Sequence, residues 1–272
     1  MSASFTRIDT QRFGPWALVT GASSGIGAAL ARQLAASGLN LVLVARRAPL
    51  LERLGRELQS RFGIDYRVVA LDLTSDDILT PIRAATDDLE VGLLISNAGG
   101  PLPGQFLALS SDTVFGQVRL DVHTPLKLIQ HFVPAMAARG RGGLILVSAM
   151  GATGGLPLVA TTSAGKSFVE SLGRSLHGEF AELGLNTTVL IVGPTDTRVI
   201  DMLGLDRGRM PIKPQSADAT AAEALAALVA NRPAHLSGRL NRVIYRLVPA
   251  TVTTRLARSM VRQGMAALAR SG

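Results

Sequence analysis

The 272-residue sequence predicts an α/β fold: a doubly wound parallel sheet with helices on both faces, followed by an amphipathic helical extension at the C-terminus. Short apolar runs recur along the chain, segments of helical spacing separate them, and the first run passes through a glycine-rich turn into a helix. The runs WALVT (16–20), NLVLVA (40–45), YRVVAL (66–71), VGLLIS (91–96), GLILVS (143–148) and TTVLIV (187–192) are rich in Val, Leu and Ile and lack polar alternation. Strands buried on both faces of a parallel sheet have this pattern. Ile26, Leu30 and Leu34 mark a helix after the first strand, and Leu50, Leu51, Leu54 and Leu58 mark one after the second. Longer helical segments cover about 112–138 and 161–183, and an alanine-rich one covers 217–230. Such alternation requires crossovers that lay helices on both sides of the sheet.

The first crossover holds the clearest chemistry. In TGASSGIG (20–27), Gly21, Gly25 and Gly27 have the spacing G-x-x-x-G-x-G, with Ser23, Ser24 and Ile26 between them. Glycines let the backbone turn tightly and approach a pyrophosphate closely, and the start of the next helix offers free N–H groups and the positive end of its dipole. This predicts a dinucleotide-binding, Rossmann-type domain. A carboxylate at the end of the second strand would select the ribose 2′-hydroxyl of NAD, whereas an arginine there suits the 2′-phosphate of NADP. The strand ends Ala45-Arg46-Arg47, so NADP(H) is expected over NAD(H), with Arg46 as the first choice of ligand.

Composition removes other classes. Apolar residues make up 47% of the chain and charged ones 18%, which gives a large core and rules out a disordered chain. There is no cysteine, and the four histidines form no H-E-x-x-H pattern, so neither a thiol nucleophile nor a metal site is expected. The polar N-terminus reads as no signal peptide and no apolar run is long enough to span a bilayer, so a cytoplasmic location is expected. Lys plus Arg number 28 and Asp plus Glu 20, and eight of the arginines lie beyond Asn231, where there is no acid at all. The excess charge of +8 therefore belongs to the tail, and the rest of the chain is balanced.

With these motifs in order, residues 14–200 resemble the short-chain dehydrogenase/reductase family. TGASSGIG matches its cofactor turn; LDLT (71–74) matches the adenine-contacting segment and implies Asp72 and Leu73 as cofactor contacts. SNAGG (96–100) is similar to its N-N-A-G motif and implies Asn97, Ala98 and Gly99. GPTDT (193–197) resembles the loop that closes over the nicotinamide and implies Gly193, Thr195 and Thr197. The family's chemistry uses Asn, Ser, Tyr and Lys, the last two as Y-x-x-x-K on one helix face. Lys166 matches the lysine, which holds the ribose and lowers the phenol pKa. Thr162 stands in the tyrosine's place, Ala149 in the serine's and Asp121 in the asparagine's. Ser148, beside Ala149, can substitute only if the strand end twists, because neighbouring strand residues face opposite ways. An aliphatic hydroxyl has no useful ionisation near neutral pH. The expected set is thus Lys166, Thr162, Ser148 and Asp121, with Asp121 and Lys166 placed to form an ion pair. Neither of the two tyrosines, Tyr66 and Tyr245, falls at the site, and His123 should point away from Asp121's face.

Residues 1–236 are expected to form the NADP-binding domain and 237–272 a basic extension with two amphipathic stretches, Leu240–Leu247 and Leu256–Leu268, broken at Pro249. The extension can cover a substrate pocket or a partner subunit, or lie on an anionic membrane surface. Nucleic acid is not an expected partner, because no reader motif is present. The apolar loop VIDMLGL (199–205) lies where the family's substrate loop lies and implies a small lipophilic carbonyl or alcohol, and the family implies a homodimer or homotetramer. Two functions follow: an NADP(H)-dependent oxidoreductase with altered catalytic residues, or a non-redox protein on the same scaffold, as a cofactor-binding module or an enzyme of another class such as a lyase.

Overall fold

A computed structural model of the chain describes residues 6–210, 212–248 and 250–271. A short helix α1 (Thr10–Phe13) precedes β1 (Trp16–Thr20), α2 (Gly25–Ala36), β2 (Asn40–Ala45), α3 (Ala48–Phe62), β3 (Tyr66–Ala70), α4 (Leu79–Thr86) and β4 (Val91–Ser96). Then follow α5 (Ser111–Val118), a π-helical segment (Arg119–His123), α6 (Thr124–Ala138), β5 (Gly143–Ala149), α7 (Ala160–Ala181), β6 (Asn186–Val192), α8 (Arg198–Met202), α9 (Ala217–Val229), β7 (Ala234–Leu236), α10 (Arg239–Leu247) and α11 (Ala250–Ser271). The strands pair in parallel in the order β3-β2-β1-β4-β5-β6-β7.

The core explains the uniform apolar strands. Leu30 and Leu34 of α2, Leu51 and Leu58 of α3, and Leu225 and Leu228 of α9 pack with Val19, Leu43 and Ile95 on one face of the sheet. Ile82 of α4, Leu128 and Met136 of α6 and Val169 of α7 pack with Leu18, Val44 and Leu94 on the other. The residues of the inner strands β2, β1, β4 and β5 meet a helix whichever way they point, while the edge strands β3 and β7 are only partly buried. β1 and β4 are neighbours at the point where the strand order reverses, and the crevice beyond their C-terminal ends is where doubly wound sheets bind ligands.

The helical segment expected over 112–138 is one run with a local fault. Pro125 has no N–H to donate to the carbonyl four residues back, which is that of Asp121, and the backbone widens into a π turn just before it. The structure adds α4 and β7, which the sequence did not announce, as well as the short α1 and α8, the latter overlapping the expected loop 199–205. The expected break at Pro249 lies outside the described residues. Among those residues no helix is long and apolar enough to cross a membrane.

Candidate functional site

The glycine turn is shaped by conformation and by space. Gly21 leaves β1 at φ 69°, in the left-handed region that other residues enter only with strain. At Gly27 space is the limit, since a Cβ there would stand 2.4 Å from the Gly21 carbonyl oxygen and 2.6 Å from Asn97 Nδ2. Thr20 locks the two sides of the crevice together: its Oγ1 accepts the N–H groups of Asn97 and Ala98 at 2.9 Å each, and its carbonyl accepts Asn97 Nδ2 at 2.8 Å. Ser24 precedes α2 but makes no side-chain bond to the first turn, and no acid occupies that turn. Its N–H groups and positive dipole end are left for an anion. Ile26 packs against the core behind the turn.

At the end of β2 the expected Arg46 and its neighbour take different places. Arg46 is exposed, while Arg47 turns inwards and its Nη2 donates to Ser23 Oγ at 2.9 Å and Ser24 Oγ at 3.1 Å. Successive residues leaving a strand face opposite ways, and here Arg47 is the one that lies on the turn. The 193–197 loop rests on the same turn: a Cβ at Gly25 would lie 3.2 Å from Thr197 Cγ2. Thr197 caps α8, Thr195 Oγ1 donates to the Gly193 carbonyl at 2.9 Å, and the Gly193 N–H donates to Ser237 Oγ at 3.0 Å. Beyond β3, Asp72 Oδ1 accepts the N–H and hydroxyl of Thr74, and buried Leu73 presents its carbonyl to Thr124 Oγ1 at 2.8 Å. The residues present fit a pyrophosphate-bearing dinucleotide: a bare backbone cradle, free helix N–H groups and a guanidinium at the rim.

The centre of the crevice is a buried ion pair. Lys166 Nζ lies 3.2 Å from Asp121 Oδ1, with side-chain exposures of 10% and 0%. Lys166 also donates to the Val147 carbonyl at 3.1 Å, and Gln117 Nε2 holds Asp121 Oδ2 at 2.6 Å and the Gly100 carbonyl at 3.0 Å. Buried charges cost several kcal/mol each in lost hydration unless paired and hydrogen-bonded; here the pairing, the Val147 carbonyl and Gln117 offset that cost, while Asp121 Oδ1 has the ammonium beside it and no hydrogen bond of its own. Two glycines make room: a Cβ at Gly99 would stand 2.8 Å from Lys166 Nζ, and one at Gly165 would stand 2.6 Å from Asp121 Cβ. The π turn bearing Asp121 sits against α7 at this point; such turns often mark functional sites.

Thr162 lies one turn before Lys166 on α7, and its Oγ1 accepts the Leu102 N–H at 2.9 Å. Ser148 is not brought to the crevice. It is 1% exposed and its hydroxyl donates to the Lys166 backbone carbonyl at 2.8 Å, because strand alternation points it into the base of α7. Tyr66 OH donates to Glu52 on the far side of the sheet, Tyr245 is half exposed on α10, and His123 is exposed. Met202 of α8 hangs over Gly100, where a Cβ would meet its Cε at 3.4 Å. The tail covers the loop beyond: a Cβ at Gly264 of α11 would stand 2.0 Å from the Leu203 carbonyl oxygen. Sequence reasoning ranked Arg47 behind Arg46 and missed Gln117 and the buried Thr20; of these two only Gln117 had a signal, its place one helical turn before Asp121.

The family model for short chain dehydrogenases matches residues 15–207. Among curated proteins, the inactive hydroxysteroid dehydrogenase-like protein 1 of Homo sapiens is 30% identical over 184 residues, which are 66% of this chain and 56% of that protein. The very-long-chain 3-oxoacyl-CoA reductase of Mus musculus is 31% identical over 178 residues, 64% of this chain and 57% of that protein. The chain thus spans little more than half the length of these relatives. Among solved structures, a 7beta-hydroxysteroid dehydrogenase has a TM-score of 0.83 at 25% identity, covering 91% of this chain and 98% of its own. A short-chain dehydrogenase from Sphingobium yanoikuyae in complex with NADPH has a TM-score of 0.77 at 25% identity, covering 93% and 94%. The matched span holds the glycine turn, Asn97, Asp121 and Lys166, and with this crevice the chain belongs to the short-chain dehydrogenase/reductase family of oxidoreductases.

Proposed function

We propose that the chain is an NADP(H)-dependent oxidoreductase of a lipophilic carbonyl or alcohol whose hydride step is slowed by its own catalytic residues. Arg47 spanning the phosphate turn supports NADP(H), since a 2′-phosphate would join a guanidinium already in place. Bound NADPH would supply a hydride to the carbonyl carbon. The carbonyl oxygen then needs a proton, and the chain has little to give. Thr162 is a neutral alcohol that accepts a backbone N–H, and the charge of Lys166 is met by Asp121. Lys166 keeps a position from which to hold the ribose and orient the nicotinamide, and Met202 covers the site from above. The observation that carries this reading is the pairing of an intact cofactor cradle with Thr162 one turn from Lys166. The same Thr162 bond favours a second reading, a cofactor-binding module without turnover, in line with a relative named inactive.

One comparison separates them. The unmodified protein and the double variant Thr162→Tyr/Ala149→Ser are mixed with NADPH and a panel of hydrophobic ketones. The oxidoreductase reading expects slow NADPH oxidation by the unmodified protein and a gain of about 10²-fold or more in kcat in the variant. If neither protein oxidises NADPH with any ketone while both bind it, the non-redox reading stands instead.

A further inference from the structure

Beside the crevice is a cavity of about 370 Å³ lined by Gln105, Pro157, Leu158, Arg258, Arg262 and Met265. That volume lies within the ~300–1,000 Å³ range of small-molecule sites. Its two walls come from different parts of the chain. Pro157 and Leu158 belong to the segment leading into α7, and Gln105 to the loop whose Leu102 N–H bonds Thr162. Arg258, Arg262 and Met265 form one face of α11, at helical spacings of four and three.

Three features mark the cavity as a binding site. Leu158 has φ 70°, a region a bulky residue rarely occupies, and is fixed there by its carbonyl accepting the Gly104 N–H at 2.7 Å. Strained residues of this kind concentrate at ligand clamps. Arg258 and Arg262 are like charges one turn apart, which repel along a helix. Among the described residues no carboxylate pairs with either, and the chain beyond Asn231 contains none. An anion between the two guanidiniums would relieve that repulsion, and Pro157, Leu158 and Met265 offer an apolar bed beside it.

We propose that this cavity binds the anionic end of an amphipathic substrate: a lipophilic molecule carrying a carboxylate, its anion on Arg258 and Arg262 and its apolar body along Leu158 and Met265, directed towards Thr162 and Lys166. The proposal names the substrate class of the oxidoreductase reading and rests on that reading only for calling the ligand a substrate.

The test measures binding without turnover. Decanoate, kept below its micelle-forming concentration, and 1-decanol, its uncharged counterpart, are titrated into the full-length protein by calorimetry. Arg258 and Arg262 are exposed, and decanoate should bind about tenfold more tightly than decanol because its carboxylate can take charge-assisted hydrogen bonds from both guanidiniums at once. Arg258→Gln/Arg262→Gln should abolish that preference and leave decanol binding unchanged, and Arg258→Lys/Arg262→Lys should keep most of it, which guards against a folding defect. Equal affinity for the two probes, or a preference that survives the Gln pair, overturns the proposal. The reductase reading is judged separately with 9-oxodecanoate and NADPH: decanoate binding without oxidation of NADPH would leave the anion site standing and remove the redox reading.

Discussion

Replacing Asp121 by alanine tests how the centre of the crevice is held. The carboxylate is fully buried 3.2 Å from Lys166 Nζ. At an effective dielectric constant of ~20, that separation corresponds to roughly 5 kcal/mol of attraction, before hydration losses. Without Asp121 the ammonium stays buried with the Val147 carbonyl as its remaining partner. Removing one partner of a buried pair costs about 3–5 kcal/mol. At about 2–4 °C per kcal/mol for a domain of this size, Asp121→Ala should lower Tm by roughly 6–20 °C. Guanidinium titration and calorimetry measure it, and a cycle with Lys166→Met isolates the coupling. The double variant should regain much of the loss, because it removes the orphaned charge as well. If the two single effects add within ~0.5 kcal/mol, the pair is not coupled and the reasoning fails.

Three other outcomes follow from the geometry. Gly27→Ala places a Cβ 2.4 Å from the Gly21 carbonyl oxygen, so the turn must open and NADPH binding, read by fluorescence titration, should fall at least about tenfold. Arg47→Ala should weaken NADPH about tenfold and NADH little, whereas Arg46→Ala should affect both less, as paired titrations would show. The third concerns Glu223. Burial alone would raise its pKa, but hydrogen bonds from His235, Arg242 and the Gly238 N–H outweigh this and hold it at about 2. Its folded pKa lies below the ordinary carboxylate value, so its contribution is present above about pH 4.5 and is lost as pH falls towards 2. Denaturant titrations from pH 5 to 2 should therefore show a shallower acid loss in Glu223→Gln than in the unmodified protein.

How far the sequence reached follows from what kind of signal each feature leaves. Six strands were legible because burial on both faces demands continuous Val, Leu and Ile, and every run found its place in the sheet. β7 was not, since Ala234–Leu236 is too short to show any period. α4 was hidden by Pro81 in its first turn and by its few apolar positions. The glycine turn was legible because backbone geometry permits few residues there. Arg46 and Arg47 were not separable, because which of two adjacent residues faces a turn depends on the pitch at which the strand ends. Likewise, Lys166, Thr162 and Asp121 converge through tertiary contacts that their spacing of four, and a separation of some forty residues, could suggest but not dimension. The cavity on α11 is wholly tertiary, since its walls lie about a hundred residues apart.

Gly165 carries a consequence for how such a site can change over time. With Asp121 Cβ at 2.6 Å from where a side chain at 165 would begin, α7 and the π turn are in contact through bare backbone. A serine at this position would carry a Cβ into that contact, whereas an asparagine at 121 would keep the Cβ already there. Exchanging Asp121 for Asn therefore leaves the contact as close as before, and adding Ser at 165 requires the two helices to part first. The order of steps is constrained: the helix spacing must relax before the side chain at 165 can grow. A side chain at 165 is therefore a matter of backbone packing between α7 and the π turn, and not of that residue alone.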